Sequence, residues 1–107
     1  MHLPFILVPS EAPSFLTVKN IGPFSAEISF TPPLQNTVNG ILKGYEVLIS
    51  DGHSSSNTSH INGTTHLLRN LKAFTIYRVQ VAVVNNVGVG PKTPLAIFKT
   101  IESGKWI

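Results

Sequence analysis

The sequence contains no cysteine. That absence removes disulfide-stapled scaffolds, zinc–thiolate sites and thiol nucleophiles together. It does not fix the compartment, because a chain of this size can bury enough surface to fold without a crosslink. Charge is scarce as well: Asp, Glu, Lys and Arg make up 12% of the 107 residues, against 42% hydrophobic residues. Disorder needs the reverse balance. The net charge of +3 includes Lys19, Lys43, Arg69, Lys72, Arg78, Lys92, Lys99 and Lys105, no two of them adjacent. A nucleic-acid surface needs its cations clustered, so no nucleic-acid partner is expected. No apolar run approaches the ~18 residues of a membrane span, and direct membrane insertion is not expected either. The run Phe5-Ile6-Leu7-Val8 sits between Pro4 and Pro9 and lacks the basic start and the length of a secretory leader. Sustained helical spacing is missing throughout.

What is present is a series of short alternating runs separated by turn residues. Phe15 to Lys19 alternates weakly. Ser25 to Phe30 places Ala26, Ile28 and Phe30 on one face and ends at Pro32-Pro33, where a ladder loses its donors. Gly44 to Ser50 puts Tyr45, Val47 and Ile49 together, and Thr65 to Leu71 reads as another strand. In Thr75 to Val84, the clearest run, Tyr77, Val79, Val81 and Val83 share one face. The last strand lies around Leu95 to Thr100. At least part of the polar stretch from Asp51 to Gly63 is expected to be loop, with room for a short edge strand. Seven short strands without a helix argue for an all-β fold, a two-sheet antiparallel β-sandwich.

The run Leu68-Arg69-Asn70-Leu71-Lys72-Ala73-Phe74-Thr75-Ile76-Tyr77-Arg78-Val79-Gln80-Val81 resembles the L-x-x-L-x-P-x-T-x-Y-x-V-x-V pattern of fibronectin type III domains. It continues as Asn85-Asn86-Val87-Gly88-Val89-Gly90-Pro91, similar to that family's N-x-x-G-x-G-P loop. Upstream, Ser29-Phe30-Thr31-Pro32-Pro33 and Asn39-Gly40-Ile41-Leu42-Lys43-Gly44-Tyr45-Glu46-Val47 resemble its S-W-x-P-P and N-G-x-I-x-x-Y-x-V strands, and Thr100-Ile101-Glu102 its closing T-x-E. The resemblance implies an immunoglobulin-like sandwich of seven strands, with sheets A-B-E and C′-C-F-G. It sets a domain over residues 11–102, with 1–10 as a linker or fragment edge and 103–107 as an exit linker. Phe30, Tyr45, Leu71, Tyr77, Val79 and Val81 are its expected core, with Leu68 and Leu71 closing the bottom. Tyr77 takes the place of the family's tyrosine corner, and Gly88 and Gly90 are expected to supply positive φ in the F–G loop. Phe30 stands where the family has tryptophan, and Ala73 where it has proline. Trp106, the only tryptophan, falls in the exit linker.

Nothing in the sequence assembles chemistry, and no enzyme is expected. Asp51-Gly52-His53-Ser54 holds the residue types of a triad, but sequence neighbours in one loop cannot converge as a triad does. His53, His60 and His66 crowd one region without a cysteine or carboxylate at ligand spacing, so they read as solvated histidines and no metal is expected. No glycine-rich loop opens a helix, so no nucleotide or other cofactor is expected. The resemblance implies instead a non-catalytic interaction or spacer module of a multidomain receptor, adhesion or matrix protein. Such a module is extracellular or on the cell surface, is monomeric in isolation and touches neighbouring modules. Its protein partner is unspecified, and Arg-Gly-Asp and the Trp-Ser-x-Trp-Ser box are both absent. The alternative is an intracellular module of a sarcomeric or cytoskeletal array. Sequons at Asn57-Thr58-Ser59 and Asn62-Gly63-Thr64 are candidate N-glycosylation sites in the polar loop. With 8 Asn and 19 Ser or Thr in the chain, between one and two sequons arise by chance, so their placement matters more than their number. Recognition in a sandwich falls to its loops, which makes Asn85, Asn86, Val87 and Gly88 the candidate protein-binding loop. The rival surface is an outward sheet face with Lys43, Glu46, Arg78 and Gln80.

Overall fold

The computed structural model describes residues 7–104. Eight strands carry the chain: β1 (Ser14–Lys19), β2 (Ala26–Thr31), β3 (Leu42–Ser50), β4 (Ser55–Ile61), β5 (Thr65–Leu68), β6 (Ile76–Asn85), β7 (Val89–Lys92) and β8 (Ala96–Lys99). They form two antiparallel sheets, one ordered β1-β2-β5 and the other β4-β3-β6-β7, with β8 also paired to β6. This is the expected two-sheet division, with eight strands instead of seven. The extra strand arises because the last one is broken. At the break the Thr93 hydroxyl accepts from the Val81 amide at 3.0 Å while Thr93 N donates to Val81 O. Pro94 has no amide to continue the ladder, which resumes at Ala96 opposite Val79.

Alternation decides what is inside. Ala26, Ile28 and Phe30 of β2 and Tyr45 and Val47 of β3 are buried together with Tyr77, Val79, Val81 and Val83 of β6. Leu68 and Leu71 close the same core at the β5–β6 connection, and Phe98 enters it from β8. Each of the larger aliphatic and phenyl side chains stabilises the fold by roughly 1.5–3 kcal/mol. The Phe30 ring, smaller than an indole, meets Tyr45 edge to face with centroids 4.7 Å apart. Phe98 stacks on Tyr77 at 5.7 Å.

The polar stretch from Asp51 to Gly63, for which loop and a short edge strand are both expected, carries the edge strand β4 between two turns. Val47, Leu48 and Ile49 of β3 pair with Thr58, Asn57 and Ser56 of β4. Its polar composition fits an edge: one side of its backbone faces solvent, and hydroxyl side chains suit that setting without an alternating apolar face.

The β5–β6 turn is fixed without the proline that Ala73 replaces. The Thr75 hydroxyl donates to Ala73 O at 2.8 Å, and the buried Thr100 hydroxyl donates to Lys72 O at 2.6 Å while accepting from the Thr75 amide at 2.8 Å. Tyr77 Oη accepts from the Lys72 amide at 2.7 Å. Tyr77→Phe therefore strands a backbone donor, at an expected cost of about 1–3 kcal/mol. Arg78→Ala, next along the strand but exposed, should cost under about 1 kcal/mol. Urea melts of the two variants check the inward–outward parity of β6, and equal losses would contradict it.

Candidate functional site

The β2–β3 connection and the β6–β7 turn come together at one pole, and side-chain amides lock them there. Asn85, 3% exposed, donates through Nδ2 to Leu7 O at 2.8 Å, Val38 O at 2.9 Å and Asn39 O at 3.3 Å. Its Oδ1 accepts from the amides of Val87 and Gly88 at 2.8 and 3.0 Å. Asn86 Oδ1 accepts from the Ile41 amide at 3.0 Å. Residues 7–10, within the expected linker, are pinned to the same pole: Asn39 Nδ2 donates to Val8 O, and Ser10 N to Thr37 O. Residues 1–6 and 105–107, with Trp106, lie outside the described residues.

Of the candidate loop, then, Asn85 is buried framework and the Asn86 oxygen is engaged, while Val87 stands exposed. Leu34 and Ile41, 75% and 63% exposed, join it from the β2–β3 connection. Sequence reasoning passed over both. The signal was a bulky aliphatic placed among Pro, Gln, Asn and Gly with no alternating partner to bury it.

Gly88 and Gly90 do not have the expected positive φ. Their reason is close approach. A Cβ on Gly90 would sit 2.7 Å from Pro9 O and 2.8 Å from Pro9 Cβ, and one on Gly88 would sit 3.1 Å from Val8 Cγ1. At Gly90 only a bare backbone lets the N-terminal segment lie there, whereas a Cβ at Gly88 would press on the Val8 side chain alone.

The rival surface is partly assembled. Glu46, Gln80 and Arg78 share the outer face, opposite Ala82, Leu48 and Ser50. Lys43 is the extra residue of the β-bulge between Leu42 and Gly44 and falls outside the ladder. Gln80 Nε2 is engaged with Thr93 O at 2.9 Å.

The Asp51 segment is a turn, and its carboxylate is fully employed. Oδ1 accepts from the His53 and Ser54 amides, both at 2.8 Å, and Oδ2 meets Lys72 Nζ at 3.1 Å. The Ser54 amide first, then the His53 amide and the Lys72 ammonium, hold this carboxyl well below the usual carboxylate range. A depressed carboxyl stabilises the fold above its unfolded pKa and loses that contribution as pH falls through the folded value. The urea midpoint of the wild type should therefore exceed that of Asp51→Asn by the most at neutral pH. The gap should narrow below about pH 4, and a gap independent of pH would count against this role.

Burial, then the charge of Arg69, holds the His66 imidazole below its ordinary range. The His60 side chain lies outside the described residues, and among those described no three His, Cys, Asp or Glu come together as a metal site would require. The two sequons part company: the second falls in the short loop between β4 and β5, and the first lies in the strand before it. Asn57 lies within β4 opposite Leu48 and is exposed, and Asn62 is exposed just beyond the end of that strand.

A family model for the fibronectin type III domain matches residues 11–99. The chain is 35% identical over 95 residues to the phosphatidylinositol phosphatase PTPRQ of Homo sapiens, covering 85% of this chain and 4% of that protein. It is 30% identical over 100 residues to the cell adhesion molecule DSCAML1 of Mus musculus, covering 89% of this chain and 5% of that protein. It thus spans about one-twentieth of the length of these relatives. The sandwich matches the solution structure of the third fibronectin III domain of the human KIAA0343 protein with a TM-score of 0.82 at 26% identity, over 92% of this chain and 87% of that one. Sequence model, relatives and sheet topology agree: the chain belongs to the fibronectin type III domain family.

Proposed function

We propose that this chain is a non-catalytic, extracellular interaction module of a multidomain receptor or adhesion protein, and that it meets a protein partner through the pole built by the β2–β3 connection and the β6–β7 turn. One observation carries this reading: Ile41 and Val87 are held out to solvent by a frame of Asn85 and Asn86 hydrogen bonds, and the exposed Leu34 sits in a turn closed by Thr37. Apolar side chains kept in place before binding lose little freedom on association, which favours them as interface anchors. Relatives named as a cell adhesion molecule and a receptor-type tyrosine-protein phosphatase support placing the module at a cell surface. The exposed sequons accord with that setting.

The test uses the full-length protein that carries the module, displayed on cells, with adhesion to partner-bearing cells as the readout. Ile41→Asp with Val87→Asp should lower the affinity at least about tenfold, a loss of about 1.4 kcal/mol. Arg78→Glu on the outer sheet face should leave it unchanged. The reverse pattern would move recognition to the sheet, and no change in either folded variant would make the module a spacer.

A further inference from the structure

Every sheet edge presents unpaired amides and carbonyls that a second strand can join, and proteins blunt such edges with prolines, charges, bulges or short length. Four of the edge strands here are blunted in those ways. β1 has a bulge between Ser14 and Thr17 and ends in Lys19. β5 has four residues and runs into Arg69. β7 contains Pro91 and Lys92, and β8 has four residues ending in Lys99. β4 is different. Its seven residues, Ser-Ser-Asn-Thr-Ser-His-Ile, contain no proline and no Asp, Glu, Lys or Arg, and among the described residues it pairs only with β3. A bulge disturbs its second half, where three steps from Thr58 to Ile61 face two steps from Val47 to Tyr45. The first half, Ser55 to Thr58, keeps straight register with β3. Ser56 and Thr58, opposite the inward Ile49 and Val47, each line a cleft with Arg69, so Asn57, opposite Leu48, lies on the outward side, away from that cation. Asn57, the first residue of a sequon, stands on that outward side in the unguarded half, and Asn62 lies just past the end of the strand.

We propose that a glycan on Asn57 is the guard of this edge, and that the bare edge pairs with β4 of a second copy of this chain. The inference rests on the extracellular reading above. A hydrated glycan rooted in the middle of the straight segment blocks the approach of another strand. Without it, two copies related by a two-fold axis bring hydroxyl-rich strands together antiparallel, and no like charges meet along them.

The 107-residue chain closes its own core, so it is tested as such, secreted from animal cells and, without modification, from bacteria. Intact mass before and after amidase treatment reads occupancy, and sedimentation over a range of concentrations reads association. Secreted wild type should carry glycan on Asn57 and stay monomeric. The bacterial chain, and secreted Asn57→Gln, should rise with concentration toward twice the monomer mass. Bacterial Asn57→Lys, which places a like charge from each copy near the axis, should be monomeric, with an unchanged thermal melt showing that it is folded. A bacterial wild type that stays monomeric, a dimer indifferent to Asn57→Lys, or a monomeric Asn57→Gln overturns the guard. Glycan on Asn62 alone also overturns it while leaving the extracellular reading intact. A secreted chain bare at both sites overturns both.

Discussion

Truncating Phe30 to alanine is expected to lower the unfolding free energy by about 3–5 kcal/mol. The ring belongs to the central strand of the β1-β2-β5 sheet and reaches across to Tyr45 of the opposite sheet at 4.7 Å. Its loss removes a buried aromatic and opens a space bounded by rigid strands, and backbone tied into ladders on both sides cannot collapse to fill it. Phe15→Ala is the matched control. It deletes the same atoms from a ring that is 80% exposed and should fall within about 0.5 kcal/mol of wild type. Urea unfolding with unchanged m-values measures both. Similar losses at the two positions would mean that the β2 face points the other way.

Asn85→Ala should cost about 3 kcal/mol, the upper end of the range for a stranded buried polar group, because several groups are stranded at once. The Val38 carbonyl loses its 2.9 Å donor, and the amides of Val87 and Gly88 lose a shared acceptor. Asn85→Asp separates the two halves of the role: it keeps an oxygen for the turn amides and deletes the donor that holds the β2–β3 connection. In Asn85→Asp, faster hydrogen exchange should appear at Ile41 and neighbouring amides while Val87 and Gly88 stay protected. Both groups should open in Asn85→Ala. Asn86→Ala removes one bond made from an exposed residue and should cost under about 1 kcal/mol. An Asn85→Ala as stable as Asn86→Ala would mean that the pole is held by backbone alone. The proposed binding pole would then lose the rigidity on which its anchors depend.

The same two residues mark how far sequence reading goes. Phe30 is legible because alternation is local: Ala26, Ile28 and Phe30 repeat every second residue, and a strand sends such residues to one face. Tyr77, Val79 and Val81 are legible for the same reason, and the fibronectin type III pattern added the sheet to which each strand belongs. Asn85 is not legible in that way. An asparagine beside a glycine-containing turn suggests an exposed loop residue, and its burial depends on carbonyls at Leu7 and Val38, 78 and 47 residues away in the chain.

Sequence by itself determined the all-β class, the inward face of each long strand and the position of the turn from β5 to β6. Each of these follows from short-range periodicity, proline and glycine chemistry, and one motif in register. Tertiary structure decided the rest. It made β4 a seven-residue strand by giving it Val47 to Ile49 of β3 as a partner, where its own polar residues left loop and short edge strand both open. It made Gly90 necessary through the approach of Pro9 and not through φ. It also left Leu34, Ile41 and Val87 uncovered at one pole. Local sequence encodes which way a side chain points, but whether anything meets it there depends on segments distant in the chain, and their positions exist only once both sheets have closed on the core.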